Sequence, residues 1–336
     1  MKRVVVTGAT RGLGRNAVDY LLRQGIAVRA TGRNIGIGAL LTAQGAQFIA
    51  LDLATATPLQ IRHLLKDVDT IWHCAALSAP WGAAADFVAA NITATQNLLD
   101  GASATASSVQ SFVHVSTPAL YFDFRARYDV PESFRPARYA NIYASTKAEG
   151  EVCVQRTAAR CSQVRCVILR PRAIFGRYDQ VLIPRLSRLL AQRRGRLPLP
   201  NGGRVRLDVT YAENVVHAMT LASTVADCPS GAVFNITNQQ PVMLSELLQD
   251  LFAGALQRPF EIVAVPYRLL ASVSHALELA ARFSGREPAM TRYSVGVLGF
   301  DMTLDQSRAR QILGYIQPVA LPEAIARTAE WITLHG

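Results

Sequence analysis

The opening of the chain constrains its fold more than any other feature. Val4, Val5 and Val6 make a continuous apolar run, suited to a strand buried on both faces, which breaks into Thr7-Gly8-Ala9-Thr10-Arg11-Gly12-Leu13-Gly14 before a helical pattern begins. A buried strand, a tight glycine turn and a helix start together open a βαβ unit. Gly8 permits the turn, Gly12 lets backbone N–H groups approach a pyrophosphate, and Gly14 lets the helix pack closely on the sheet. Thr10, Arg11 and Leu13 belong to the same phosphate-binding loop, where Arg11 offers a cation.

The alternation continues beyond this unit. β-rich runs at 3–7, 27–31, 47–50, 70–74, 111–116 and 165–169 alternate with helical patterns near 13–23, 57–65, 84–99 and 140–160. Strands separated by helices pair in parallel through crossovers, so the pattern predicts an α/β chain with a Rossmann-type, doubly wound parallel sheet. Gly25 suits a left-handed cap on the first helix, and Pro58 suits the first turn of a later one. After Pro171 the pattern loosens. The expected division is a dinucleotide-binding domain over 1–170 and a smaller C-terminal, mainly substrate-binding portion over 171–336, with segments near 207–237 returning to the main sheet. The apolar stretch 269–283 is interrupted by His275, Glu278 and Arg282. It is shorter than the roughly 20 residues of a bilayer span and reads as an amphipathic helix over a pocket or a partner.

Composition excludes several classes. Half of the 336 residues are apolar, ample for a large core. The net charge is +11, yet Lys2, Lys66 and Lys147 are the only lysines and the arginines are spread along the chain, so nucleic-acid binding is not expected. The densest basic stretch, from Arg185 through Arg193, Arg194 and Arg196 to Arg204 and Arg206, reads as a solvated face. Cys74, Cys153, Cys161, Cys166 and Cys228 show no metal-ligand spacing; they fit reduced thiols, and no metal is expected. The apolar run after Lys2 and Arg3 stops at Thr7, too soon for a signal peptide, which points to the cytoplasm.

The ends of the next strands bear on the cofactor. An acidic residue after the second strand would hold the ribose hydroxyls of NAD, but this chain has Gly32 followed by Arg33. A carboxylate there would repel a 2′-phosphate, whereas a guanidinium binds it, so NADP is expected rather than NAD. Asp52 can accept from the adenine amino group while Leu53 packs on the ring. Ala75 and Ala76, after His73 and Cys74, leave room for the cofactor; His73 itself reads as a packed core histidine.

A proton-transfer pair lies further on. Tyr143 and Lys147 stand four apart in a helical segment and share a face. A neighbouring ammonium favours the phenolate and so lowers a phenol's pKa from its usual value of about 10. The fifth strand ends in Ser116 and Thr117, either of which supplies a hydroxyl for a substrate oxygen.

Together these segments resemble the extended branch of the short-chain dehydrogenase/reductase family, the NAD-dependent epimerase/dehydratase group. The resemblance runs through Thr7 to Gly14, Asp52-Leu53, His73 to Ala76, Asn91, Ser116-Thr117, Tyr143 to Lys147 and Leu169-Arg170-Pro171. It continues through Ile174-Phe175-Gly176, 208–215, 234–237 and 305–315. It implies that Tyr143 is the general acid in reduction, that Lys147 holds the nicotinamide ribose and lowers the Tyr143 pKa, and that Thr117 polarises the carbonyl. It also places Pro171 and Ile174 against the nicotinamide carboxamide and implies a homodimer through helices at 84–99 and 143–154. The spacing of Gly12 and Gly14 departs from the usual extended pattern, which puts its middle glycine at the Arg11 position. The stretches 75–82, 117–118 and 288–300 look most like 3β-hydroxysteroid dehydrogenases and 2-alkyl-3-oxoalkanoate reductases. Such enzymes act on apolar small molecules, with Ser78, Trp81, Thr117 and Tyr121 expected at the substrate and Phe122 and Phe124 beside Trp81 and Tyr121 in the pocket lining. The rival readings are a nucleotide-sugar epimerase or reductase and a non-catalytic NADP sensor; a sensor would be expected to lack Tyr143 and Lys147.

Overall fold

The computed structural model describes residues 1–179 and 182–335. Seven parallel strands form its main sheet: β1 (Arg3–Thr7), β2 (Ala27–Gly32), β3 (Gln47–Ala50), β4 (Thr70–His73), β5 (Ser111–Val115), β6 (Arg165–Pro171) and β7 (Ala232–Ile236). Their order is β7-β6-β5-β4-β1-β2-β3, and the reversal between β1 and β4 opens the crevice in which such sheets bind nucleotides. The central strands are apolar on both faces because helices cover both. Val4, Val5, Val6, Ile71, Trp72, Phe112 and Val113 are all fully buried.

The helices follow from local chemistry. α1 (Gly12–Arg23) begins within the glycine turn and ends before Gly25, which is left-handed at φ +69°. α2 (Ile35–Ala43) carries no helical apolar period; the Asn34 side chain caps it at 3.0 Å from the Ile37 amide, and Gly38 lets it lie directly on Phe48. α3 (Pro58–Leu65) starts with a capping box between Thr57 and Gln60. The next helical stretch is interrupted: helix runs over Ala84–Val88, a π-turn over Ala89–Thr93, and helix again over Ala94–Ala102. The helix Ile142–Arg160 is capped by Asn141, whose Oδ1 accepts from the Ala144 amide at 2.9 Å.

The two halves of the chain exchange strands. β7 comes from the C-terminal half and pairs in register with β6, Ala232 opposite Val167 and Ile236 opposite Pro171. A second, four-stranded sheet joins Arg127–Val130, from the N-terminal half, to Met302–Leu304, Arg206–Leu207 and Val242–Met243. A separate apolar core that includes Leu197, Leu207, Phe252 and Ile332 supports the C-terminal part. The amphipathic stretch forms the helix Tyr267–Ser284, which is anchored to the helix Arg292–Val297 through Glu278. The Glu278 carboxylate accepts from the Arg292 amide at 2.7 Å and from its Nε at 2.8 Å. Among the described residues no helix is long and apolar enough to cross a membrane, and no group of His, Cys, Asp and Glu could hold a metal.

Candidate active site

The cofactor half of the site grows out of the first turn. Gly8 is left-handed at φ +63°, and a Cβ there would lie 2.9 Å from the Ala75 backbone. A Cβ on Gly14 would run into the Gly8 carbonyl, so the first helix can approach the sheet only because that residue is glycine. Gly12, at φ +49°, faces open space on the side a Cβ would occupy. This is the cradle a pyrophosphate requires, with the α1 N-terminus beneath it. The Gly12 amide itself is taken: it donates to the Tyr178 carbonyl at 3.1 Å, and Asn16 Nδ2 donates to the Arg177 carbonyl at 2.7 Å. The amides of Leu13 and Gly14, which have no helical partners, are the ones that could donate to a phosphate.

At the adenine end, Thr10 packs against Gly32, and Leu53 is buried. Arg33 is largely exposed at 73% and pairs with Asp52 at 3.5 Å. Arg11 is exposed. An exposed pair of this kind is weak, so the Arg33 guanidinium is free to turn to a phosphate.

At the head of the Asn141-capped helix, Tyr143 is half-buried, with the Ser78 and Thr117 hydroxyls near its own. Burial raises the phenol above its ordinary pKa, and the two neighbouring hydroxyls oppose the rise. The structure thus distinguishes the two hydroxyls after β5. Thr117 Oγ1 accepts from the Ala119 amide at 3.1 Å and lies near Tyr143, whereas among the described residues the Ser116 hydroxyl is buried without a partner.

One turn on, Lys147 is 1% exposed, and its Nζ donates to the Val115 carbonyl at 2.7 Å and stands 3.2 Å from His114 Nε2. Burial lowers its pKa to about 8, with Glu151 and Cys74 opposing the shift. Burial next to this ammonium holds His114 well below its usual value and His73 at about 3, so both rings are neutral. The His73 tautomer follows from its neighbours. Thr7 Oγ1 accepts from the Ala75 amide and so donates to Nδ1 at 2.8 Å, while Nε2–H donates to Thr95 Oγ1 at 2.9 Å, whose proton goes to the Asn91 carbonyl. His73 is a structural residue, as its place in an apolar run suggests. Cys74, pushed by burial to about 12, is an unreactive thiol.

The π-turn puts Asn91 where it braces the substrate loop. Its Oδ1 accepts from the Leu77 amide at 2.8 Å and its Nδ2 donates to Thr146 Oγ1 at 3.1 Å, which ties the loop carrying Ser78 and Trp81 to the helix carrying Tyr143. Trp81 is half-buried in that loop; Ala75, Ala76, Pro171 and Ile174 stand at the ends of β4 and β6, bordering the crevice.

Tyr121 departs from its expected place at the substrate. Its ring is fully buried, and its hydroxyl donates to Asn235 Oδ1 at 2.8 Å and accepts from Arg170, whose guanidinium is held by Glu151. It joins β5, β6 and β7 rather than lining a pocket. Phe122, Phe124, Tyr293 and Phe300 form an aromatic cluster after Thr117, with Phe122 buried and Tyr293 edge-on to it at 5.7 Å. Sequence reasoning gave no role to Tyr293, His114 or Asn91. A histidine inside the apolar run Phe112-Val113-His114-Val115 was the one local signal. The arginines Arg193, Arg194, Arg196, Arg204 and Arg206 are exposed, and Arg196 pairs with Glu261 at 3.1 Å; the side chain of Arg185 lies outside the described residues.

A model of the NAD dependent epimerase/dehydratase family matches residues 4–237. The chain belongs to that family. An uncharacterized protein of Escherichia coli, YbjS, is 44% identical to it over 99% of this chain and 98% of its own length. A 4-hydroxy-2-methyl-3-oxo-4-farnesyl-3,4-dihydroquinoline-1-oxide ketoreductase of Stigmatella aurantiaca is 33% identical over 93% of this chain and 91% of its own. A 2-alkyl-3-oxoalkanoate reductase of Stenotrophomonas maltophilia is 30% identical over 97% and 98%. Among solved structures, a Bacillus cereus UDP-glucuronic acid 4-epimerase with bound NAD covers 99% of both chains with a TM-score of 0.78 at 20% identity, a likeness of fold. The family member described here is an NAD(P)-dependent enzyme with an extended short-chain dehydrogenase/reductase fold.

Proposed function

We propose that this protein is an NADP-dependent oxidoreductase that interconverts a carbonyl and a secondary alcohol on an apolar small molecule, of 3-oxoacyl or steroid-like type. The observation that carries this reading is the gathering of the Tyr143, Thr117 and Ser78 hydroxyls one helical turn from the buried Lys147. A nicotinamide bound in the crevice supplies the hydride. Tyr143 gives its proton to the carbonyl oxygen as negative charge develops there, and Thr117 and Ser78 hold that oxygen by hydrogen bonds. Lys147 anchors the ribose and, with the positive charge of the oxidised cofactor, brings the raised phenol back toward the working pH. The cluster of Phe122, Phe124, Tyr293 and Phe300 suits an apolar substrate body.

Support for carbonyl reduction comes from the relatives whose printed names are those of a ketoreductase and a 3-oxoalkanoate reductase. Arg33 in place of an acidic residue favours NADP over the NAD seen with the structural neighbour. It also counts against a nucleotide-sugar epimerase, as does the exposure of the arginines from Arg193 to Arg206. The test is oxidation of NADPH against a panel of apolar ketones, with UDP-sugars alongside, in the native protein and in Tyr143→Phe. We expect ketone reduction that falls at least about a hundredfold in the variant while NADPH affinity is kept. Near-normal turnover in the variant would overturn the assignment.

A further inference from the structure

His114 interrupts the apolar run of β5, where a leucine or phenylalanine would pack without a polar atom to satisfy. It is fully buried and sits opposite His73 in the sheet, the two ring centroids 5.3 Å apart. Its Nε2 stands 3.2 Å from Lys147 Nζ, and among the described residues its buried Nδ1 has no partner. An ammonium has three N–H donors and no acceptor, so Nε2 accepts from Lys147 and the ring proton resides on Nδ1. A buried N–H left unmet costs stability. The contact at Nε2 is what the ring gains in exchange.

That contact fixes the ammonium from one side. Lys147 Nζ also donates to the Val115 carbonyl at 2.7 Å, so two consecutive residues of β5 take two of its three N–H bonds. The helix Ile142–Arg160 comes this close because it carries Gly150, where a Cβ would lie 2.7 Å from the Asn91 carbonyl and 3.8 Å from His114 Nε2. Other titratable groups around the ammonium do not replace the imidazole. Glu151, on the same helix, accepts from Arg170 Nε at 2.8 Å; His73, on β4, has both ring nitrogens engaged with Thr7 and Thr95; and burial keeps Cys74 a neutral thiol. Because the contacts stop at the unmet Nδ1, the ring holds the ammonium without passing its proton onward.

We infer that His114 is a positioning residue, which with the Val115 carbonyl holds the Lys147 side chain as an ammonium and leaves its third N–H for the nicotinamide ribose. This rests on the reading of Lys147 as the ribose anchor and is independent of which carbonyl compound is reduced. An acceptor at this distance favours the charged amine, so its loss lets the proton leave at lower pH. Cofactor binding then fails earlier on the alkaline side.

The experiment uses the whole protein and reads NADPH affinity by fluorescence titration from about pH 6 to pH 10. It compares the native chain with His114→Leu, His114→Gln and His114→Asn, with thermal midpoints and ketone turnover alongside. Losing a hydrogen bond to a charged group should lower the pH above which binding weakens by about one unit or more in His114→Leu, with affinity near pH 8 down about fivefold. A glutamine amide oxygen reaches the Nε2 position and should restore the native profile. An asparagine stops at the Nδ1 position and should behave as leucine does. In a Lys147→Met background, His114→Leu should change affinity by less than about twofold, because the ammonium it serves is gone. A native profile in His114→Leu or His114→Asn, equal shifts in the glutamine and asparagine variants, or a full further loss in Lys147→Met overturns the inference, as does a native protein that binds no NADPH. If the leucine variant does not fold, the glutamine–asparagine pair decides. Absence of ketone turnover with the expected binding profiles counts against the carbonyl–alcohol reading alone.

Discussion

Lys147 occupies a position where its own proton is at stake. Burial holds its pKa near 8, so the ammonium that should anchor the cofactor ribose is lost from the free protein within an accessible pH range. The protonated form is the binding form, so NADPH affinity should be steady below pH 8 and weaken above it, by up to about tenfold per pH unit. Titrations at successive pH values check this, and a flat profile in Lys147→Met would assign the effect to that residue. Arg33 makes the second prediction at this scale. It is exposed and, among the described residues, paired only with Asp52, so Arg33→Ala should weaken NADPH by about tenfold or more and leave NADH unchanged, as read by competitive titration. Equal losses for both cofactors would remove the 2′-phosphate role. The side chains proposed as catalytic could be picked out of the sequence because their chemistry needs fixed spacing: four residues on a helix for Tyr143 and Lys147, a strand end for Thr117. Tyr293 was not, because it has no local pattern and only tertiary packing brings it toward Tyr143.

Secondary elements hold these residues through contacts that their own sequences do not announce. α3 ends at Leu65 without a glycine cap; Arg29, from the middle of β2, takes its place. Arg29 Nη1 donates to the Leu64 and Lys66 carbonyls at 2.7 Å each, and its Nε donates to Gln47. Arg29→Met should leave those carbonyls unmet and destabilise the protein by about 3 kcal/mol, measured by chemical denaturation. Strands and long helices were readable from apolar runs and from capping or turn residues such as Pro58 and Gly25. α2 was missed because Ile35-Gly36-Ile37-Gly38 has neither period nor propensity, and it forms because Asn34 caps it and Gly38 fits Phe48. The π-turn at Ala89–Thr93 was hidden inside an apparently continuous helical pattern, since one extra residue per turn leaves no compositional trace.

At the scale of the whole molecule, we propose a homodimer through the helical stretches of residues 84–99 and 143–154. Val88, 42% exposed, gives that surface an apolar point. Light scattering at micromolar concentration should return twice the chain mass, and a monomeric mass would refute it. The exchange of strands between the halves has a consequence of a different kind. Arg127–Val130 leaves the N-terminal half to complete the second sheet, and β7 returns from the C-terminal half to close the main one. Neither half can bury its own sheet edge without the other, so a cut near residue 170 would leave two sticky fragments instead of two working modules. The crevice and its cover are knitted into one cooperative body, and heating should melt the grip on the cofactor and the grip on the substrate in the same step.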